Sequence, residues 1–188
     1  LEEIISLDNY NGMAYEELSN LYFTQNELEK ACQIRLEYAQ HLYEDYEVTE
    51  AINYAMDALK LDNKNEDIYL FLAKIYLENN ISSSKANNFF LAAGRICLAK
   101  KKYDEAAKYL ERISPEGKEN IESLKVLAKL FLILRDEQNA VLYSAKLIDK
   151  YVGQEKPDKA ELIFENILRI FPKNVELKEK FQAFKGNH

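Results

Sequence analysis

Residues 90–113, FLAAGRICLAKKKYDEAAKYLERI, have the pattern of two helices joined by a short turn. Ala93 and Gly94 are small residues of the kind found where two helices touch, and a lysine-rich segment ends the first helix. The second helix carries its apolar residues at helical spacing, at Ala106, Ala107, Leu110 and Ile113. The stretch therefore predicts a helical hairpin.

The first-helix stripes of three successive periods recur at intervals of 54 and 55 residues: Tyr15, Leu18, Ser19 and Tyr22; Tyr69, Leu72, Ala73 and Tyr76; Leu124, Leu127, Ala128 and Phe131. Alanines mark the second helix of each period at Ala31, Ala86 and Ala140, and the third at Ala51, Ala106 and Ala160. We therefore predict periods over 12–65, 66–119 and 120–174, each with three helices. The predicted helices are 13–25, 27–45, 47–61, 66–79, 84–101, 103–113, 120–135, 137–152 and 157–171, with a partial helix from 175 to 184.

These hairpins resemble the tetratricopeptide repeat (TPR) family, whose 34-residue helical hairpins stack into a solenoid. The small residue that the family needs where its helices cross matches Ala39 and Gly94, whereas Ile148 departs from it. Steps of 20 or 21 residues alternate with steps of 34 between such positions, which favours a divergent variant with three helices per period. The resemblance implies an all-α, right-handed helical-repeat solenoid of antiparallel hairpins, with about nine helices and partial terminal helices. It is expected to cover residues 1–188 as a single domain, a fragment of a longer chain.

Composition limits the classes of partner. The formal net charge of −7 and the isoelectric point near 5.1 disfavour a nucleic-acid binder and a binder of anionic membranes, because both need a basic face. The longest apolar run, residues 126–134, is far too short to insert across a bilayer. The two cysteines lack the spacing of a metal site and leave the compartment open, with the cytoplasm favoured.

The sequence offers little basis for catalysis. It has two histidines, His41 and His188, and neither a glycine-rich phosphate loop nor an HExxH or GxSxG motif. His41, Glu44 and Asp45 share one helical face and leave a metal site as an alternative, although a solvated polar face is the preferred interpretation. We therefore predict no catalytic residue, no metal site and no cofactor. A helical enzyme domain remains a remote alternative.

The TPR resemblance implies a protein-interaction scaffold that binds through the concave face of its first helices. Transferred to this chain, those positions predict a binding surface of Leu70, Phe71, Lys74, Leu77, Leu91, Arg95, Leu98, Lys125 and Lys129. Apolar residues flanked by cations suit an amphipathic helix or an acidic extended segment of a partner protein. The alternative is that the same apolar residues pack on the third helix of each period.

A second functional hypothesis is structural. No single hairpin buries its apolar stripe alone, so the two ends of a repeat array are natural stacking surfaces. The chain would then be one segment of a self-stacking rod or ring, as in bacterial secretion, pilus or flagellar-motor assemblies, associating through residues 1–7 and 181–184.

Overall fold

The structure is a computed structural model that describes residues 1–8 and 11–187. Within these ranges the chain forms twelve helices and no strand: α1 Glu2–Leu7, α2 Gly12–Thr24, α3 Leu28–Glu44, α4 Val48–Leu61, α5 Glu66–Glu78, α6 Ser83–Ala99, α7 Tyr103–Glu111, α8 Pro115–Lys118, α9 Ile121–Leu134, α10 Glu137–Val152, α11 Pro157–Ile170 and α12 Val175–Asn187. None of the helices in this described part combines the length and the apolar character needed to cross a membrane.

The prediction of an all-α chain of helical hairpins is confirmed. The predicted helix ends lie within two residues of the observed ones, except that α12 continues to Asn187. The segment predicted as a loop contains the short helix α8. Ser114 caps it by accepting the Gly117 N–H at 3.2 Å, and Pro115 occupies its first turn.

Six helices end in the same way. A residue in the left-handed conformation follows the helix, and the next N–H bonds back five residues, as Glu47 does to the Leu42 carbonyl at 2.8 Å. This is the Schellman motif, which normally uses glycine because a side chain is disfavoured at positive φ. Here the left-handed residues are all non-glycine: Asn26, Tyr46, Asn80, Lys101, Arg135 and Glu155. These motifs make the tight turns that fold α2 onto α3, α3 onto α4 and α9 onto α10.

Four helices begin with an asparagine cap. The side chain of Asn65 accepts the Asp67 N–H at 3.0 Å, and that of Asn120 accepts the Glu122 N–H at 2.8 Å. Asn11 and Asn174 cap α2 and α12 in the same way. The four caps are separated by 54, 55 and 54 residues, and each stands at the start of a group of helices joined by Schellman turns or, for Asn174, at the start of α12. Local capping therefore repeats with the sequence period.

The chain divides into two compact units, Leu1–Ile96 and Cys97–His188. Whether the periods form one domain stays a prediction. In the first unit α3 packs on both α2 and α4, and α4 packs on α5. The buried face of α4 consists of Ala51, Ala55 and Ala58, all fully buried. Since alanine adds no bulk beyond Cβ, this face lets the neighbouring helices approach closely.

In the second unit α10 packs on α9 and α11, and α11 packs on α12. The buried face of α11 is larger than that of α4, with Ala160, Phe164 and Ile167. Phe164 stacks on Phe181 of α12 at 5.1 Å between ring centres and lies 5.3 Å from the ring of Phe184. The two C-terminal phenylalanines are therefore packed within the unit that contains them.

Candidate protein-binding surface

The nine residues predicted for binding differ in accessibility. Leu70 and Leu98 are half-buried, and Phe71 and Leu91 are buried. The other five are exposed: Lys74, Leu77, Arg95, Lys125 and Lys129. Leu70 to Arg95 belong to the first unit, and Leu98, Lys125 and Lys129 belong to the second. The surface offered to a partner is thus mainly cationic.

Phe71 shows where the predicted apolar positions go. Its ring meets the ring of Tyr43 edge-on at 5.9 Å, so it packs against α3 within the core of the first unit. Edge-to-face pairs of this kind stabilise a core beyond their buried area. Phe71 therefore supports the neighbouring surface from below.

The first of two lysine–tyrosine clusters is the Tyr43 patch, formed by Tyr43, Lys74, Glu78 and Asn79. The Tyr43 hydroxyl donates to Glu78 Oε2 at 2.7 Å and accepts from Asn79 Nδ2 at 3.2 Å. Lys74 Nζ lies over the Tyr43 ring, 5.3 Å from its centre. Burial and the bond to Glu78 raise the pKa of Tyr43, so the phenol stays protonated at neutral pH.

The second cluster is the Tyr151 patch, formed by Glu122, Lys125, Tyr151 and Lys159. Lys125 Nζ donates to Glu122 Oε1 at 2.6 Å, and this bond together with the nearby Tyr151 hydroxyl raises the pKa of Lys125. Lys159 Nζ lies 5.6 Å from the centre of the Tyr151 ring. Lys129 is exposed one helical turn beyond Lys125. Each unit therefore has its own cluster of a tyrosine and nearby lysines.

The alternative metal ligands are only partly brought together. His41 Nδ1 lies 3.6 Å from Glu44 Oε2, as an i, i+3 pair on α3. Asp45 is the residue that ends this helix. His188 lies outside the described residues. The pair has the geometry of a surface ion pair between neighbouring turns.

Sequence reasoning missed Arg35, because the family's binding positions lie on first helices and Arg35 lies on α3. Its Nε donates to Ser19 Oγ at 2.8 Å, and a terminal nitrogen donates to Asn20 Oδ1 at 3.3 Å. Ser19 is fully buried and donates to the Ala31 carbonyl at 3.0 Å. We call Ser19, Asn20 and Arg35 the Arg35 site. A usable signal is that Arg35 stands at the period position occupied by Phe90 and Ser144.

Comparisons with known proteins were made with this geometry in hand. No family model matches the chain, and no curated protein matches it in sequence. Solved structures that resemble it include Pseudomonas aeruginosa pilF, at 17% identity, covering 93% of this chain and 96% of that one, with a TM-score of 0.33. YrrB, a TPR protein with an unusual peptide-binding site, has 14% identity, covers 87% and 97%, and has a TM-score of 0.33. A TPR protein from Parabacteroides merdae has 15% identity, covers 98% and 89%, and has a TM-score of 0.31. These neighbours include TPR proteins, the family that the sequence resembles, and the likeness concerns the fold.

Proposed function

We propose that the chain is a non-enzymatic protein-interaction scaffold that holds partner proteins in a larger assembly. The observation that supports this most strongly is that each unit places an exposed lysine beside a tyrosine, Lys74 at Tyr43 and Lys125 at Tyr151. A tyrosine offers a large, rigid contact area with a polar tip, which suits protein recognition. The lysines are already oriented before a partner arrives, so less freedom is lost on binding.

The partner chemistry follows from the charges. Lys74, Arg95, Lys125 and Lys129 are exposed cations on a chain whose net charge is −7. Opposite charge on the partner favours encounter and fixes its register. The exposed side chain of Leu77 lies one turn beyond Lys74 and adds an apolar contact. We therefore assign an acidic extended segment or an acidic amphipathic helix as the partner.

Charge reversal tests this assignment. The triple substitution of Lys74, Arg95 and Lys129 by Glu is expected to abolish capture of partner proteins from a lysate of the source organism, with an unchanged circular dichroism spectrum. The matched control reverses Lys60, Lys108 and Lys180, which are also exposed and change the net charge equally. Retained capture by the first variant, or equal loss in both, would contradict the proposal.

The second candidate function is self-association into a rod or ring. It is favoured by exposed apolar side chains near the start of the first unit, where Leu7 is 83% and Met13 73% exposed. Phe181 and Phe184 at the other predicted end are packed on Phe164. Sedimentation of the Leu7→Ser, Met13→Ser variant distinguishes the two functions. Self-association predicts a concentration-dependent complex that this variant loses and that Val175→Ser, another exposed site, retains.

A further inference from the structure

The Arg35 site combines features that packing alone does not explain. Arg35 is half-buried on α3, and the equivalent positions of the next two periods hold the buried residues Phe90 and Ser144. Its partner Ser19 likewise stands where the other periods bury Ala73 and Ala128. The helix crossing therefore does not require a hydroxyl, nor does the α3 position require a charge. The first period has polar residues at two positions that elsewhere are occupied by apolar or small residues.

The hydrogen bonds of the site fix the direction of the guanidinium. Ser19 uses its proton on the Ala31 carbonyl, so its oxygen is left to accept from Arg35 Nε. Asn20 Oδ1 accepts from one terminal nitrogen. Both acceptors are neutral, and within residues 1–8 and 11–187 no carboxylate lies at ion-pair distance from Arg35. The remaining N–H groups carry a positive charge without a paired anion.

The surroundings of the site are aromatic. The charge of Arg35 acts on the Tyr54 hydroxyl and lowers its pKa, against the larger raising effect of burial. Tyr54 is held edge-on against Tyr38 at 4.7 Å between ring centres. Glu16 also acts on Tyr54, in the opposite direction to Arg35. A partly desolvated guanidinium beside a fixed ring binds a carboxylate more strongly than one in open water.

We propose that the Arg35 site binds a side-chain carboxylate of an acidic protein segment, with Arg35 as the donor and Ser19 and Asn20 as the residues that orient it. Arginine is suited to this role because its planar fork matches the two oxygens of a carboxylate. The assignment rests on the proposed scaffold function, and it adds a contact that is separate from the lysine–tyrosine patches.

The test uses two end-blocked peptides, tri-glutamate and tri-glutamine, with the full chain. The signal is the Nε–H resonance of Arg35, identified among the five arginines by its loss in Arg35→Lys. Tri-glutamate is expected to shift this resonance in a saturable way, and tri-glutamine is expected to leave it unchanged. Equal shifts with both peptides, or no shift with tri-glutamate, would overturn the proposal.

The decisive variant is Asn20→Asp, which places a carboxylate of the chain itself beside Arg35 and occupies the guanidinium without removing it. It is expected to weaken tri-glutamate binding at least tenfold while the chain remains folded. The matched control is Asn166→Asp, because Asn166 accepts from Arg169 at 3.1 Å on the exposed face of α11. Unchanged binding by Asn20→Asp would overturn the site.

Two further arms separate the possible outcomes. Sodium acetate that competes as strongly as tri-glutamate would show a site for small free acids and overturn the assignment to a protein segment. Loss of tri-glutamate binding in Asn20→Asp supports the site even if the lysine variants still capture partners, a result that contradicts the scaffold proposal alone. Conversely, tri-glutamate binding that Asn20→Asp leaves intact overturns the Arg35 site, and capture lost only in the lysine variants keeps the scaffold proposal.

Discussion

Lys74 Nζ lies 5.3 Å from the centre of the Tyr43 ring, which joins a residue of α5 to one near the end of α3. The same tyrosine is fixed by hydrogen bonds to Glu78 and Asn79. This arrangement orients an exposed cation without burying it. It is the feature on which the binding proposal for the first unit depends.

Replacing Lys74 by Ala is expected to weaken binding far more than folding. An exposed cation–π contact contributes about 0.5–1 kcal/mol, so the free energy of unfolding should fall by no more than that. Urea denaturation measures the stability, and capture of partners measures the binding. A loss of stability well above this range would show that Lys74 is mainly a structural residue.

Removing the Tyr15 hydroxyl is expected to stabilise the chain. The hydroxyl is buried and has no hydrogen-bond partner in the described ranges, while the ring stacks on Tyr38 at 4.8 Å. A buried polar group without a partner costs about 1–3 kcal/mol, and Tyr15→Phe keeps the ring. We expect a gain of about 1 kcal/mol in urea denaturation. Tyr43→Phe is the control and should give no gain, since that hydroxyl is hydrogen-bonded; a loss of stability in Tyr15→Phe would refute the explanation.

The buried tyrosines predict loss of stability at high pH. Burial, followed by the charges of Glu37 and Tyr38, raises the pKa of Tyr15 to about 12, and burial raises the pKa of Tyr38 and Tyr54. The folded state therefore favours the neutral phenols. Their stabilising effect is complete below the ordinary tyrosine pKa of 10 and is lost as the pH rises from 10 towards 12. Spectrophotometric titration should show late ionisation of these residues, coupled to unfolding; ionisation of all 13 tyrosines together near pH 10, with the fold intact, would contradict it.

The left-handed turn residues predict stabilising glycine substitutions. Glu155 has φ of 56° and an exposed side chain. A non-glycine residue in this conformation costs about 1–2 kcal/mol, which exceeds the extra chain entropy that glycine loses on folding. Glu155→Gly should therefore raise the melting temperature. Asn80→Gly should raise it less, because asparagine tolerates this conformation, and an equal or larger gain at Asn80 would count against the argument.

The helices were predictable because their apolar stripes repeat. Ala51, Ala106 and Ala160, which marked the third helices in the sequence, are all fully buried. The short helix α8 was missed because four residues carry no periodic pattern. The left-handed turns were not predictable from residue type, because residues such as Tyr46 occupy positions where glycine is usual.

The binding surface was less predictable than the helices. The sequence places Lys74 on a first helix, but its position over Tyr43 depends on how α3 and α5 pack, which local spacing does not specify. Helical spacing also failed to separate the buried Phe71 from the exposed Leu77. Arg35 required comparison of second helices, where Phe90 and Ser144 show that a charge is unusual at that position.

The most direct test of the scaffold proposal is a lysine-reactivity measurement on the full chain, free and bound to its captured partner. Brief acetylation followed by mass spectrometry reports how accessible each amine is. Lys74, Lys125 and Lys129 are expected to be protected in the complex, whereas Lys60 and Lys180, which form local pairs with Asp57 and Glu176, should react as they do in the free chain. Unchanged reactivity of Lys74, Lys125 and Lys129 in the complex would contradict the account.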